Sequence, residues 1–69
     1  MTLEEYRKRL AWSQAELARK AGVSYPTVSK AERGESINGR SANLICQALS
    51  AAYKREIAVS DIEGLNVNV

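Results

Sequence analysis

The stretch SQAELARKAGVSYPTVSKAERG, residues 13–34, contains the signals that decide the fold. Ser13 and Glu16 have the Ser-x-x-Glu spacing of a capping box, in which a hydroxyl and a carboxylate each satisfy a free backbone N–H group. Ser24 is a second N-cap residue. Gly22 ends the first of these helices, because glycine adopts the left-handed conformation without strain. The stretch therefore predicts two helices joined by a tight turn.

Further helix signals lie on both sides of this stretch. Thr2 and Glu5 form another capping-box pattern and predict an earlier helix. Gly34 is expected to end the second helix of the central pair. After the polar connection at residues 35–40, apolar residues recur with a period of 3.6. This recurrence predicts a fourth helix from about Gly39 to Tyr53.

The C-terminal segment, residues 54–69, has a different pattern. Apolar residues alternate with others over Ile57–Val59 and again over Leu65–Val69, which predicts short extended segments. Residues 60–63 between them have the spacing to cap one helical turn. Because an unpaired strand edge invites pairing, we expect the extended segments to bury a contact between two copies of the chain. The alternative is a terminus that is not tied down.

Length and composition exclude several classes of protein. With 69 residues, the chain is expected to form one domain over residues 1–69. No apolar run exceeds three residues, so we expect no membrane span and no secretory leader, and a cytoplasmic location. The single cysteine, Cys46, and the absence of histidine argue against disulfides, metal ligands and catalytic triads. We therefore predict no enzymatic activity, no catalytic residues, no cofactor and no metal.

The charge distribution is uneven along the chain. The formal net charge of +2 divides into +3 for residues 1–33 and −1 for residues 34–69. A mixed-charge surface in contact with water would account for the total alone. The asymmetry hints that the first half of the chain meets an anion.

The helix that follows Ser24 has two distinct faces. Val28 and Ala31 lie on the face expected to pack inward. A rotation of about 100° per residue places Pro26, Ser29, Lys30 and Arg33 opposite them, with Tyr25 and Thr27 at the edges. Polar and basic residues at the start of a protruding helix suit the major groove of DNA. The alternative is a helical hairpin with a solvated face.

Residues 13–24 and 27–34 resemble the Cro/lambda-repressor-type (XRE) helix-turn-helix family. The resemblance extends from residue 2 to about residue 50, and six residues stand in register with the family pattern: Gln14, Ala18, Gly22, Val28, Glu32 and Gly34. It implies an all-α, compact four- to five-helix DNA-binding domain with the helix-turn-helix at residues 13–33. Members of this family usually bind a palindromic operator as dimers.

The resemblance also implies roles for individual residues. Gln14 matches a position that contacts a phosphate and supports a base contact. The base-reading and flanking positions fall on Ser24, Tyr25, Pro26, Thr27 and Lys30. Positions that clamp the DNA backbone fall on Arg33, Asn38 and Arg40. Arg7 and Glu32 match a structural ion pair. Pro26 departs from the pattern, because it can offer only an apolar contact or none, and residues 54–69 lack a regular fifth helix.

Together these features predict a sequence-specific regulator of transcription, most simply a repressor that binds double-stranded DNA as a homodimer. Its expected setting is the nucleoid of a bacterium or phage. One alternative is an antitoxin of the same fold, which would also bind a toxin protein. Another is a protein-interaction module that has lost DNA binding, although Lys30, Arg33 and Arg40 speak against that alternative.

Overall fold

The computed structural model describes residues 1–68 and confirms an all-α domain with a small strand pair. Its four α-helices are α1 (Leu3–Arg9), α2 (Gln14–Ala21), α3 (Tyr25–Glu32) and α4 (Gly39–Tyr53). The remaining elements are β1 (Ile37–Asn38), a 3-10 turn (Val59–Asp61) and β2 (Val67–Asn68). None of the helices in the described part of the chain is long and apolar enough to cross a membrane.

Each helix begins at a residue whose side chain accepts a backbone N–H from the first turn. These N-cap residues are Thr2, Ser13, Ser24 and Asn38. The box at Thr2 is complete, since the Thr2 N–H group also donates to Glu5 Oε1 at 2.8 Å. The second predicted box is only half formed, because the Glu16 carboxylate pairs with Arg19 instead of reaching back. The serine hydroxyl alone therefore caps α2.

The core lies where α2, α3 and α4 meet. Its largest fully buried side chains are Leu17, Val28, Ile45, Leu49 and Ile57. Cys46 is also buried, and this burial raises the pKa of its thiol. The cysteine is therefore a small apolar component of the core.

The structure gives much of the C-terminal segment partners within its own chain, and its predicted role in a dimer contact stays a prediction. Ile57 is only 2% exposed and belongs to the core of its own chain, and Val59 begins the 3-10 turn. β2 pairs in parallel with β1 of the same molecule, with Ile37 opposite Val67. The predicted segment Leu65–Val69 is thus largely used within the monomer, and its last residue lies outside the described range. The alternating pattern was real, but its apolar side chains find their partners in the same chain.

Ser50 attaches the C-terminal segment to α4. Its hydroxyl accepts the Ile57 N–H group at 2.8 Å and lies 3.3 Å from the Ile57 carbonyl oxygen, to which it donates. Ser50→Ala is expected to lower the free energy of unfolding by about 1–2 kcal/mol, because two buried backbone groups lose their partner. Urea unfolding measures this, with the exposed Ser60→Ala as the matched control. Equal unfolding midpoints for the two variants would contradict the role given to Ser50.

Candidate nucleic-acid interface

The turn between α2 and α3 sets the position of the candidate interface. Gly22 adopts the left-handed conformation, with φ of 75°, as predicted. The N–H groups of Gly22 and Val23 both donate to the Ala18 carbonyl oxygen, at 2.9 and 3.0 Å. Val28 and Ala31 then point into the core. This packing leaves the opposite side of α3 facing outward.

The outer face of α3 carries the side chains that the helical rotation placed there. Tyr25, Pro26, Lys30 and Arg33 are exposed, while Thr27 and Ser29 are half-buried. Tyr25, at 52% exposure, is the one large hydrophobic residue that is exposed in the described part of the chain. The structure therefore presents the predicted base-reading residues together on one surface.

Two of these residues also hold the start of α3 in place. Ser24 Oγ accepts the Thr27 N–H group at 3.3 Å and lies 2.8 Å from Thr27 Oγ1. Hydroxyl oxygens can accept more than one hydrogen bond, so this cap leaves capacity for a base edge. Any role of Ser24 and Thr27 toward DNA stays a prediction.

Arg33 is engaged in a way that the sequence did not reveal. Its Nη1 donates to Ser29 Oγ at 2.6 Å, and its Nε donates to Glu35 Oε2 at 2.7 Å. Both charged side chains of the pair are at least half exposed. An exposed pair contributes little to stability, so a phosphate can replace Glu35 as the partner of Arg33.

Arg7, Glu32 and Gln14 form a buried polar cluster beneath the interface. Arg7 Nε and Nη2 donate to the two Glu32 carboxylate oxygens at 2.5 and 3.0 Å, and Arg7 Nη1 donates to the Trp12 carbonyl oxygen at 2.9 Å. The Arg7 and Glu32 side chains are only 10% and 5% exposed. Hydrogen bonding to Glu32 raises the pKa of the Arg7 guanidinium. The cluster ties α1 to the end of α3.

Gln14 joins this cluster at the start of α2. Its Nε2 donates to Glu32 Oε1 at 2.9 Å. The same amide nitrogen carries a second N–H, which can donate to a phosphate oxygen. The bond to Glu32 fixes the Gln14 side chain, and the DNA contact of Gln14 stays a prediction that this bond leaves room for.

Asn38 and Arg40 lie where β1 leads into α4. Asn38 Oδ1 accepts the Ser41 N–H group at 2.7 Å and so caps α4. Arg40 is exposed in the first turn of that helix. The exposure of Arg40 is compatible with the predicted backbone clamp, while Asn38 keeps only its amide N–H groups to donate.

A polar hollow of about 210 Å³ lies between α3, β1 and β2. Its polar lining residues are Thr27, Lys30, Ser36, Asn38, Ser41 and Asn68. Asn68 was not among the predicted site residues. No local signal in the sequence identifies it, because its position depends on the pairing of two strands that lie thirty residues apart.

Two cations of this surface, Lys30 and Arg40, have no ion-pair partner within residues 1–68. Several other cations are paired along their own helices, with Lys8 bonded to Glu4 and Arg19 to Glu16. Within residues 1–68, no carboxylate comes within 4.0 Å of Lys30 or Arg40. These two cations can therefore meet an anionic ligand without first breaking an ion pair.

Comparison with known proteins identifies the same arrangement. A family model described as helix-turn-helix matches residues 3–52, which is more than half of the chain. Neither the search of curated proteins nor the search of solved structures found a significant match. The matched region includes all four helices except the last residue of α4. The chain therefore belongs to the lambda-repressor-type (XRE) helix-turn-helix family of DNA-binding regulators.

Proposed function

We propose that this regulator is a repressor that binds a palindromic operator as a homodimer and inserts α3 into the major groove. The observation that carries the proposal is the outer face of α3, where Lys30 lies among small polar side chains and pairs with no carboxylate of residues 1–68. Arg40 lies beyond it at the start of α4. In this proposal Lys30 faces the base edges and Arg40 faces the backbone.

The dimensions of a helix suit this placement. An α-helix with its side chains is about 10–12 Å in diameter, and the major groove is about 12 Å wide. The Lys30 ammonium can donate to guanine O6 or N7, whereas Arg33 and Arg40 can donate to phosphate oxygens. Occupying the DNA in this way excludes the polymerase, so no second domain is needed for repression.

The size of the domain supports two copies on one operator. The molecule measures 27 × 22 × 18 Å. Half-sites on consecutive major grooves lie about 34 Å apart, so two copies can bind side by side without overlap. A single short helix contacts few base pairs, and a dimer doubles the number that are read. Contacts between the two copies would align the two α3 helices with the two half-sites.

Selection of bound sequences from random duplexes tests this proposal. The expected result is an inverted repeat whose half-site centres lie about 10 base pairs apart. Sedimentation of the complex with the selected duplex should give two chains per duplex. A single unrepeated motif bound by one chain would contradict the palindrome and the dimer. Recovery of no preferred sequence would contradict specific regulation.

A further inference from the structure

We propose that Asn68 of β2 donates a hydrogen bond from its side-chain amide to a phosphate of the DNA backbone next to Lys30. The inference rests on the proposed operator binding and extends it to the C-terminal segment, beyond the residues that the family model matches. The contact belongs to the same surface as the outer face of α3, but a different part of the chain supplies it.

The strand pair determines which way Asn68 faces. Asn38 and Asn68 are partners in the parallel register, as are Ile37 and Val67. Ile37 is buried and Val67 packs partly against the core, whereas both asparagines are exposed. Because successive residues of a strand alternate between faces, the two asparagines share the outer face of the pair.

Two hydrogen bonds fasten this strand to the loop that follows α3. The Asn66 side-chain amide donates to the Gly34 carbonyl oxygen. The Ile37 N–H group donates to the Asn66 carbonyl oxygen at 3.0 Å. Asn68 lies two residues after Asn66 in the chain. These bonds therefore set the position of Asn68 relative to α3 and the loop that follows it.

The hollow beside Asn68 has the chemistry that a phosphate requires. Asn68 lines it together with Lys30 and Asn38, and the hydroxyl-bearing residues Thr27, Ser36 and Ser41 complete its polar lining. Among residues 1–68, no carboxylate is part of that lining. An ammonium group, amide N–H groups and hydroxyls all donate hydrogen bonds, and phosphate oxygens accept them. Asn68 is the neutral donor that the C-terminal strand adds to this set.

Charge substitution distinguishes a phosphate contact from a structural role. Asn68→Ala, Asn68→Asp and Asn68→Lys would each be titrated with the selected operator over a range of salt concentrations. Asn43 provides the matched control, because it is also an exposed asparagine but lines a separate groove with Cys46 and Ile57. The same three substitutions are made there. Thermal unfolding of every variant checks that the fold is retained.

The expected results follow from the chemistry of a neutral donor. Asn68→Ala should weaken operator binding about threefold to tenfold without changing the salt slope, because a neutral donor releases no counterion. Asn68→Asp should weaken binding further. Asn68→Lys should make the slope of log affinity against log salt steeper by about 0.9 per chain. The Asn43 alanine variant should stay within about twofold of the original chain, and its lysine variant should change the slope less.

Two results would overturn the inference while leaving operator binding intact. One is an Asn68 series indistinguishable from the Asn43 series. The other is a loss of affinity in all three Asn68 variants, including Asn68→Lys, in proportion to their loss of thermal stability. Failure of the proposed function itself has a different signature, since the unsubstituted chain would then show no salt-dependent preference for any duplex.

Discussion

Arg7→Ala is expected to lower the free energy of unfolding by about 3–5 kcal/mol, because it leaves the Glu32 carboxylate buried without its charged partner. The Glu32 side chain is 5% exposed, and of the three hydrogen bonds that it accepts only the one from Gln14 remains in this variant. The core of a chain this short rarely supplies more than about 3–5 kcal/mol, so the variant should be substantially unfolded at physiological temperature. Urea or thermal unfolding followed by circular dichroism measures the loss.

Two further variants show whether burial causes this effect. Arg19→Ala removes an arginine from the exposed pair with Glu16 and should cost less than about 1 kcal/mol. The double variant Arg7→Met, Glu32→Met removes both charges and should recover most of the stability. If Arg7→Ala and Arg19→Ala cost the same, the Arg7–Glu32 pair is not the structural tie that its geometry indicates.

Lys30→Ala is expected to cost about 1–3 kcal/mol of operator binding and to relax the preference at one base pair in each half-site. Lys30 is exposed on the outer face of α3, with no carboxylate within 4.0 Å in the part of the chain that the structure describes. Arg40→Ala should instead weaken all sequences alike and reduce the salt slope by about one per half-site, because phosphate contacts carry no direct sequence information.

A panel of operators with single base changes separates the two roles. The affinity of Lys30→Ala should no longer depend on the base at one operator position. The affinities of Arg40→Ala should all be lower by the same factor, so its base preferences should be unchanged. An even loss across the panel for Lys30→Ala would show that its long side chain reaches only phosphate. The base-reading role would then be wrong, although DNA binding itself would stand.

The helices could be predicted from the sequence because their signals are local. Thr2, Ser13 and Ser24 each lie within three residues of the N–H group that they cap, and Gly22 acts on its own backbone. The outer face of α3 followed from helical rotation once Val28 was placed in the core. Such features join residues that are only a few positions apart, so their positions in the sequence determine their positions in the helix.

The C-terminal segment could not be predicted in the same way. Alternation over Leu65–Val69 indicates a strand, but it does not say whether the partner belongs to the same chain or to another. The pairing with β1 depends on how α4 returns the chain, which is a property of the whole fold. The attachment of Glu35 to Arg33 was missed for a different reason, because side chains in a turn have no fixed periodicity.

The dependence of operator binding on salt concentration tests the central claim most directly. With Arg33 and Arg40 of each chain at the backbone, a dimer makes about four phosphate contacts, so the plot of log affinity against log salt from about 50 to 200 mM should be linear with a slope of about −3.6. A scrambled duplex of the same length should bind more weakly at every salt concentration. Binding that stays flat over this range, or equal affinity for the operator and the scrambled duplex, would contradict the account.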